Sequence, residues 1–544
     1  MRKQLLTFTF ICLGFIVNAQ TTTDVLHYTY EIHLNDKTDT IYGKARIVLA
    51  SNSRMFDIEL TNFKRTGKGM TLDSVYYLQD NTRIEFLPRP KDKQAILLFR
   101  NDTISTLYSD DMLKRNVDTF EIIISYHGIP DDGLIISKNK YGDRTFFADN
   151  WPNRAHHWIP CVDRPDDKAT FEFYVTAPSH YSVISNGTKI EEKLLSDGNK
   201  LTHWKEETAL PTKVMVIGVA RFAVRTYKDS PANIPVSAWV YQQDSIPGFR
   251  NYAVAPSILK FLSDYIGPYP YEKLANVQSK TIFGGMENAS AIFYEELSAS
   301  SDDNIESLMA HEIAHQWFGD MASEKSFPHL WLSEGFATYL THIYLESKYG
   351  TDSLNKRMQN DRDEIIAFAK ESNRPIVDSV SPLMKLLNTN SYQKGGWILH
   401  MLRRQLGDTI FHSIIRRYYT AYAGKNADTR DFERICESES GKDLHVFFDQ
   451  WLYSPGLPKL DVQWKYDEQN KRVLLTVHQT QHKLFVFPLE IEIWTGGTGT
   501  TKAQIPSVNV QDLQVSFPVT AKPLQIILDP NTCLLFEGSA RMIK

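Results

Sequence analysis

His311-Glu312-Ile313-Ala314-His315 sets two imidazoles four residues apart around a carboxylate. The stretch from Asn304 to Ala310 lacks Gly and Pro, and apolar residues continue through Trp317 and Phe318, which predicts a helix. On a helix, residues four apart lie nearly above one another, so His311 and His315 converge on one point. Two such nitrogens suit Zn²⁺, and Glu312 beside them can serve as general base toward a water held there. A catalytic zinc needs a third protein ligand and an open position. A metzincin would carry a further His after a Gly in this stretch, but Phe318 and Met321 stand at those places, which excludes that class. Glu334 follows His315 after eighteen intervening residues and lies in a second helical run, Trp331 to Leu340, beyond a break at Pro328. Two antiparallel helices would bring Glu334 to face the histidine pair.

The scaffold that must hold these groups is large. A chain of 544 residues exceeds what one hydrophobic core supports, so two to four domains are expected. Its 42% hydrophobic and 23% charged residues are those of an ordinary globular protein. A net charge of −5 without a long basic run argues against nucleic acid as a partner. Arg2 and Lys3, the apolar run Leu5 to Val17 and the small-residue site Val17-Asn18-Ala19 read as a signal peptide over residues 1–19. Cys12 lies deep in that run, not at its end as in a lipoprotein signal, and no later stretch is apolar enough to span a membrane. The expectation is an exported soluble protein, periplasmic or secreted, with no stable membrane anchor. Cys161, Cys436 and Cys533 are too few and too scattered for a disulfide framework and are expected as buried apolar residues.

Along the chain, His27 to Leu34 and Ile41 to Leu49 alternate as strands, followed by runs at Phe120–Tyr126, Phe171–Thr176, Tyr181–Ile184 and Val214–Val219. Between them Trp151 to Asp163 is rich in aromatics and histidine; on an extended segment His156 and His157 would point to opposite faces, against a second metal site. Helical patterns begin at Tyr252–Ile266 and continue over Ser353–Lys370, Leu386–Gln405, Thr409–Ala423 and Asp443–Tyr453. Ser454 to Pro458 reads as a linker, after which alternation returns at Leu460-Val462-Trp464, Val473-Leu475-Val477 and Leu489-Ile491-Ile493. The expected division is an N-terminal β domain over 20–228, a catalytic domain over 229–455 and a β-sandwich over 456–544.

Ahead of the histidine helix lies Gly284-Gly285-Met286-Glu287-Asn288, where two glycines allow a backbone to approach a ligand closely. Taken with His311-Glu312-Ile313-Ala314-His315, Glu334 and Tyr392-Gln393-Lys394-Gly395-Gly396, this closely resembles the zinc aminopeptidase family of aminopeptidase N and leukotriene hydrolase, a gluzincin pattern. The likeness extends to Gly267-Pro268-Tyr269-Pro270, Pro160 to Phe171 and Trp451 to Pro458. It implies a multidomain α+β fold: an N-terminal antiparallel β saddle, a thermolysin-like, mostly helical catalytic domain and a C-terminal β-sandwich. It also implies one Zn²⁺ per chain and removal of single residues from peptides with a free N-terminus. By this resemblance Glu287 binds the substrate α-ammonium, Gly284, Gly285, Met286 and Asn288 belong to the substrate groove, and Tyr392 donates to the oxyanion. Relatives often hold the amine with a further Gln or Glu from the first domain; counting back from Pro160 puts Asp149 and Trp151 near those places, with Asp149 the substitute. Relatives also often carry a large C-terminal helical domain, so the resemblance does not specify substrate length here. The rival readings are a thermolysin-type endopeptidase, which has no need of Glu287, and an inactive peptide-binding scaffold.

Overall fold

The computed structural model describes residues 23–50, 55–56, 58–79, 82–85, 95–100, 103–109, 119–228, 230–302, 304–496 and 499–543. The expected signal peptide over 1–19 lies outside them. Among the described residues no helix is long and apolar enough to cross a membrane.

The first part of the chain is β. Asp24–His33, Ile41–Ala50 and Thr119–Ile129 form the middle of an eight-stranded sheet, and Tyr28, Tyr30 and Ile32 bury one face by strict alternation. The sheet departs from the expected antiparallel pattern: Asp24–His33 runs parallel to Ala169–Pro178, with Tyr28 opposite Phe171. A four-stranded sheet of Leu134–Lys138, Arg144–Ala148, Ile217–Ala220 and Ser182–Ser185 carries the chain toward the site. Phe222–Tyr227, on the N-terminal side of the expected boundary at 228/229, pairs with Val236–Tyr241 and so joins the next sheet. That sheet continues through Leu274–Gln278 and Ala291–Tyr294 to the two-residue edge strand Gly285–Met286.

The helices that follow carry the site. Glu306–His315 and Trp331–Tyr349 pack beside each other, with Gly395–Leu406 against the second. The expected helix over 386–405 is divided: a π-helical turn, Asn390–Lys394, precedes the α-helix Gly395–Leu406. Such turns free a residue from the regular register and re-aim its side chain. Lys394 is buried there, and its Nζ donates to the Gly456 carbonyl at 2.8 Å, fastening the turn to the linker. Beyond the linker a four-stranded and a three-stranded sheet form the C-terminal β unit, with Val473, Val477, Leu489 and Ile493 facing inward.

Two lysines of the first β unit hold the loop between the ligand helices. Lys168 Nζ donates to the carbonyls of Met321 (2.8 Å), Lys425 (3.1 Å) and Asp320 (3.2 Å). Lys213 Nζ lies 2.6 Å from Glu324 Oε1, with both side chains almost fully buried. A buried ion pair adds little net stability, but removing one partner is costly, so it fixes geometry more than it adds strength.

Gly335, next to Glu334, is where two helices touch through their backbones. A methyl group at Gly335 would lie 2.9 Å from Gly395 Cα, with no flexible side chain to yield. Gly335→Ala is therefore expected to force the helices apart, lower stability by about 1–3 kcal/mol and weaken zinc binding by moving Glu334. Thermal unfolding and zinc content per chain check this; a variant with wild-type values for both would show that the contact does not set the helix spacing.

Candidate metal centre

His311 and His315 stand on one face at the end of the Glu306–His315 helix, and Glu334 enters from the first turn of Trp331–Tyr349. His311 Nε2 and His315 Nε2 are 3.1 Å apart, and Glu334 Oε2 lies 3.3 Å and 3.2 Å from them. Ligand atoms held at about 2.0–2.1 Å from a tetrahedral zinc are separated by about 3.3–3.4 Å. The near-equilateral triangle and its two-imidazole, one-carboxylate donor set therefore fit Zn²⁺ with an open fourth position. His315 Nδ1 lies 3.1 Å from the Phe318 carbonyl oxygen, which can only accept, so Nδ1 carries the proton and Nε2 presents its lone pair to the centre. Ser333 Oγ, 3.0 Å away, holds the same nitrogen.

The field at this point favours a cation. Burial opposes a charge on His315, yet the adjoining Glu334 carboxylate raises its pKa to about 10. Burial likewise opposes ionisation of Glu334, but His315 and His311 hold its carboxyl well below the usual range. A positive charge, proton or metal, is thus favoured among these three side chains, of which His315 and Glu334 are buried and His311 is partly exposed.

Glu312 sits beside the triad beneath the Gly285–Met286 strand. A methyl group at Gly285 would fall 2.3 Å from Glu312 Oε1, so only glycine leaves room for this carboxyl. Burial pushes the pKa of Glu312 well up, with His315 acting against the shift and Glu287 and Glu334 adding to it. Tyr392, on the π-helical turn, stacks on His311 with ring centroids 5.8 Å apart. Burial, then the charge of Glu334, pushes its phenol well above the ordinary value, so it remains an O–H donor.

The triad opens on a cavity of about 260 Å³. Gly284, Gly285, Met286, Glu287, Glu312 and Tyr392 line it together with the three ligands, so most of the expected site residues come together. Glu287 Oε1 is buried with no hydrogen-bond partner among the described residues. Its main-chain carbonyl accepts from Gln316 Nε2 at 2.6 Å, which ties this residue to the end of the histidine helix. Asn288 and Asp149 do not line the cavity. Asn288 is fully buried, with neither side-chain amide atom paired among the described residues. Asp149 is engaged at both oxygens: Oδ1 accepts from Arg154 at 2.8 Å, and Oδ2 accepts from Ile282 N at 3.0 Å and Thr281 Oγ1 at 3.3 Å. It braces the glycine loop, and its carboxylate is engaged by Arg154, Ile282 and Thr281 away from the cavity, which it does not line.

Trp151, which counting back from Pro160 places near the amine-holding positions, completes the wall with Phe283, Leu308 and Leu387, which residue types and spacing did not single out. Lys213 was also missed, although a lone lysine in the apolar run Leu210 to Ala220 is an available signal. His156 and His157 do not point to opposite faces, because the segment is a 3-10 turn, Ala155–His157, and not a strand; their rings stack at 4.4 Å. Each is separately bound, His156 to Asp163 and His157 to Thr61. A second group with metal-ligand spacing among the described residues, Glu490, Asp529 and Cys533, is already served by guanidinium groups: Arg362 on Asp529 and Arg404 on Cys533. Cys161 and Cys436 are buried as expected, whereas Cys533 is partly exposed.

Residues 250–451 match the peptidase family M1 domain and residues 24–214 the peptidase M1 N-terminal domain. Aminopeptidase M1 of Arabidopsis thaliana is 26% identical over 71% of this chain and 46% of its own length. Probable aminopeptidase 2 of Sulfurisphaera tokodaii is 30% identical over 56% of this chain and 40% of its own. Glutamyl aminopeptidase of Bos taurus is 27% identical over 76% and 46%. The chain thus spans less than half the length of these relatives. Legionella pneumophila aminopeptidase A, solved with aspartic acid, shares the fold with a TM-score of 0.79 over 95% of this chain and 60% of that one, at 17% identity.

The division between ligands and base is testable without turnover. His311→Ala should lose stoichiometric zinc. Glu312→Gln and Gly285→Ala should keep about one zinc per chain, the latter at a stability cost of about 1–3 kcal/mol. Zinc analysis after dialysis, with calorimetric unfolding, distinguishes them; loss of zinc from Glu312→Gln would make Glu312 a ligand.

Proposed function

The chain belongs to peptidase family M1, and from that premise we propose that it is a zinc aminopeptidase releasing single residues from peptides with a free N-terminus. The carrying observation is Glu287: a buried carboxylate with an unpaired oxygen, on the same cavity as the metal triad. Leaving such an oxygen unpaired is costly, and a substrate α-ammonium is the group that would satisfy it through a charge-assisted hydrogen bond. An endopeptidase has no use for that oxygen, and an inactive scaffold has none for the full set of triad, base and phenol.

His311, His315 and Glu334 would hold a zinc ion, which would supply Lewis acidity toward a carbonyl and make a nearby water easier to deprotonate. Glu312 takes the proton of the attacking water and delivers it to the leaving amine nitrogen. Tyr392 donates its phenolic hydrogen to the carbonyl oxygen as negative charge develops there. Glu287 fixes the N-terminus, and with it the distance to the scissile bond, so that cleavage falls after the first residue. Export is part of the same proposal; the basic residues Arg2 and Lys3, the apolar run and the Val17-Asn18-Ala19 site support it.

The test compares wild type and Glu287→Gln on one peptide, free and N-acetylated, with products identified by mass. Glu287→Gln should lower kcat/KM for the free peptide about ten- to a hundred-fold, the worth of one charge-assisted bond. Acetylation should cost the wild type more, because it removes the ammonium and puts a neutral group against Glu287. Equal cleavage of both forms at an internal bond would establish an endopeptidase.

A further inference from the structure

Trp151 reaches the cavity from the first β unit and is 2% exposed. Its ring meets Phe283 edge-on at 5.9 Å and Phe327 at 6.1 Å. The segment is held at both ends: Arg154 Nε donates to the Trp151 carbonyl at 2.7 Å, and Asp149 receives Ile282 N across the same junction. Trp151 is therefore a fixed face of the cavity and not a side chain free to swing aside. With Phe283, Met286, Leu308 and Leu387 it makes the wall outside the reacting groups apolar.

Among the described residues that line the cavity there is no lysine or arginine. Arg154 does not line the cavity and is closed by Asp149 at 2.8 Å and Asp132 at 2.9 Å. Lys213 is closed by Glu324 at 2.6 Å. The charges that do face the cavity belong to Glu287, Glu312, Glu334 and the histidine pair. The remaining polar atom of Trp151, Nε1, is buried without a partner among the described residues. One neutral donor suits a water or an uncharged acceptor; it does not replace the solvation of a carboxylate among three like charges.

Resting on the aminopeptidase reading above, we infer that Trp151 determines which first residue is accepted, and that the class accepted is large and apolar, with acidic side chains rejected. The indole face receives the first side chain, while Glu287 holds the ammonium beside it. A larger apolar side chain gains contact with this wall, about ten-fold or more for each well-packed methylene, and an alanyl side chain is too short to reach it.

The experiment uses the zinc-loaded full chain and aminoacyl-4-nitroanilides of Leu, Met, Phe, Ala, Glu and Asp. Wild type should favour leucyl over alanyl at least about ten-fold, and over glutamyl and aspartyl at least about a hundred-fold. Trp151→Ala should lower leucyl kcat/KM at least about ten-fold, chiefly through KM, and alanyl less than about three-fold, at unchanged zinc content. Trp151→Phe keeps a ring in place and should shift the leucyl-to-alanyl ratio in the same direction by less. A wild-type preference led by glutamyl or aspartyl substrates would overturn the inference. So would equal losses for leucyl and alanyl substrates in both variants, which is the signature of a merely structural residue. No cleavage of any free-amine substrate by the zinc-loaded wild type would instead overturn the aminopeptidase reading beneath it.

Discussion

Three ligand atoms must stand within 3.1–3.3 Å of one another although two helices separated by a loop supply them, and much of the surrounding structure follows from that requirement. Glu334 reaches the histidines only if its helix is seated correctly, and that seating uses the backbone contact of Gly335 with Gly395. The helix beginning at Gly395 also carries the π-helical turn with Tyr392. The same close approach therefore fixes both a ligand and the phenol that faces it. Gly285 plays the matching part on the other side, yielding space to Glu312. At both glycines the need is for room, which composition alone does not reveal.

The first β unit is part of the site and not an appendage. Lys168 and Lys213 clamp the loop that joins the two ligand helices, so the distance between those helices is set in part by residues more than a hundred positions earlier. Asp149 and Trp151 support the glycine loop in the same way, one by hydrogen bonds to Ile282 and Thr281, the other by ring contact with Phe283. Long-range contacts of this kind leave no periodic trace along the chain, because each is made by a single residue reaching across a junction.

That explains what could and could not be read beforehand. The clustering of His311 and His315 was legible because helical spacing brings them together whatever lies around them. The strands and most helices were legible from alternation and from the spacing of apolar residues. The π-helical turn was not, since Asn390 to Lys394 carries no sequence mark of an extra backbone residue in the helix. The parallel pairing of Asp24–His33 with Ala169–Pro178 was not, because alternation reports which face is buried and not which neighbour is chosen. Asp149 was expected at the amine through its charge and family position. Its two oxygens are engaged by Arg154 and the loop, away from the cavity, a fact of partners that residue type cannot disclose.

That Asp149 does not line the cavity has an electrostatic consequence. With its charge closed by Arg154, and Lys213 closed by Glu324, the cavity retains three carboxylates, Glu287, Glu312 and Glu334. Counted formally, three negative charges would be balanced by one divalent cation and the ammonium of the proposed substrate. In a buried site such balance matters, because an unmatched charge is poorly solvated and interacts strongly with its neighbours. A blocked N-terminus leaves one negative charge unmatched. An acidic first residue adds a further one against an apolar wall. On the proposed reading, a preference for a free amine and a rejection of an acidic first side chain would be two consequences of one charge balance, and Trp151, by occupying the wall without bringing a charge, leaves that balance undisturbed.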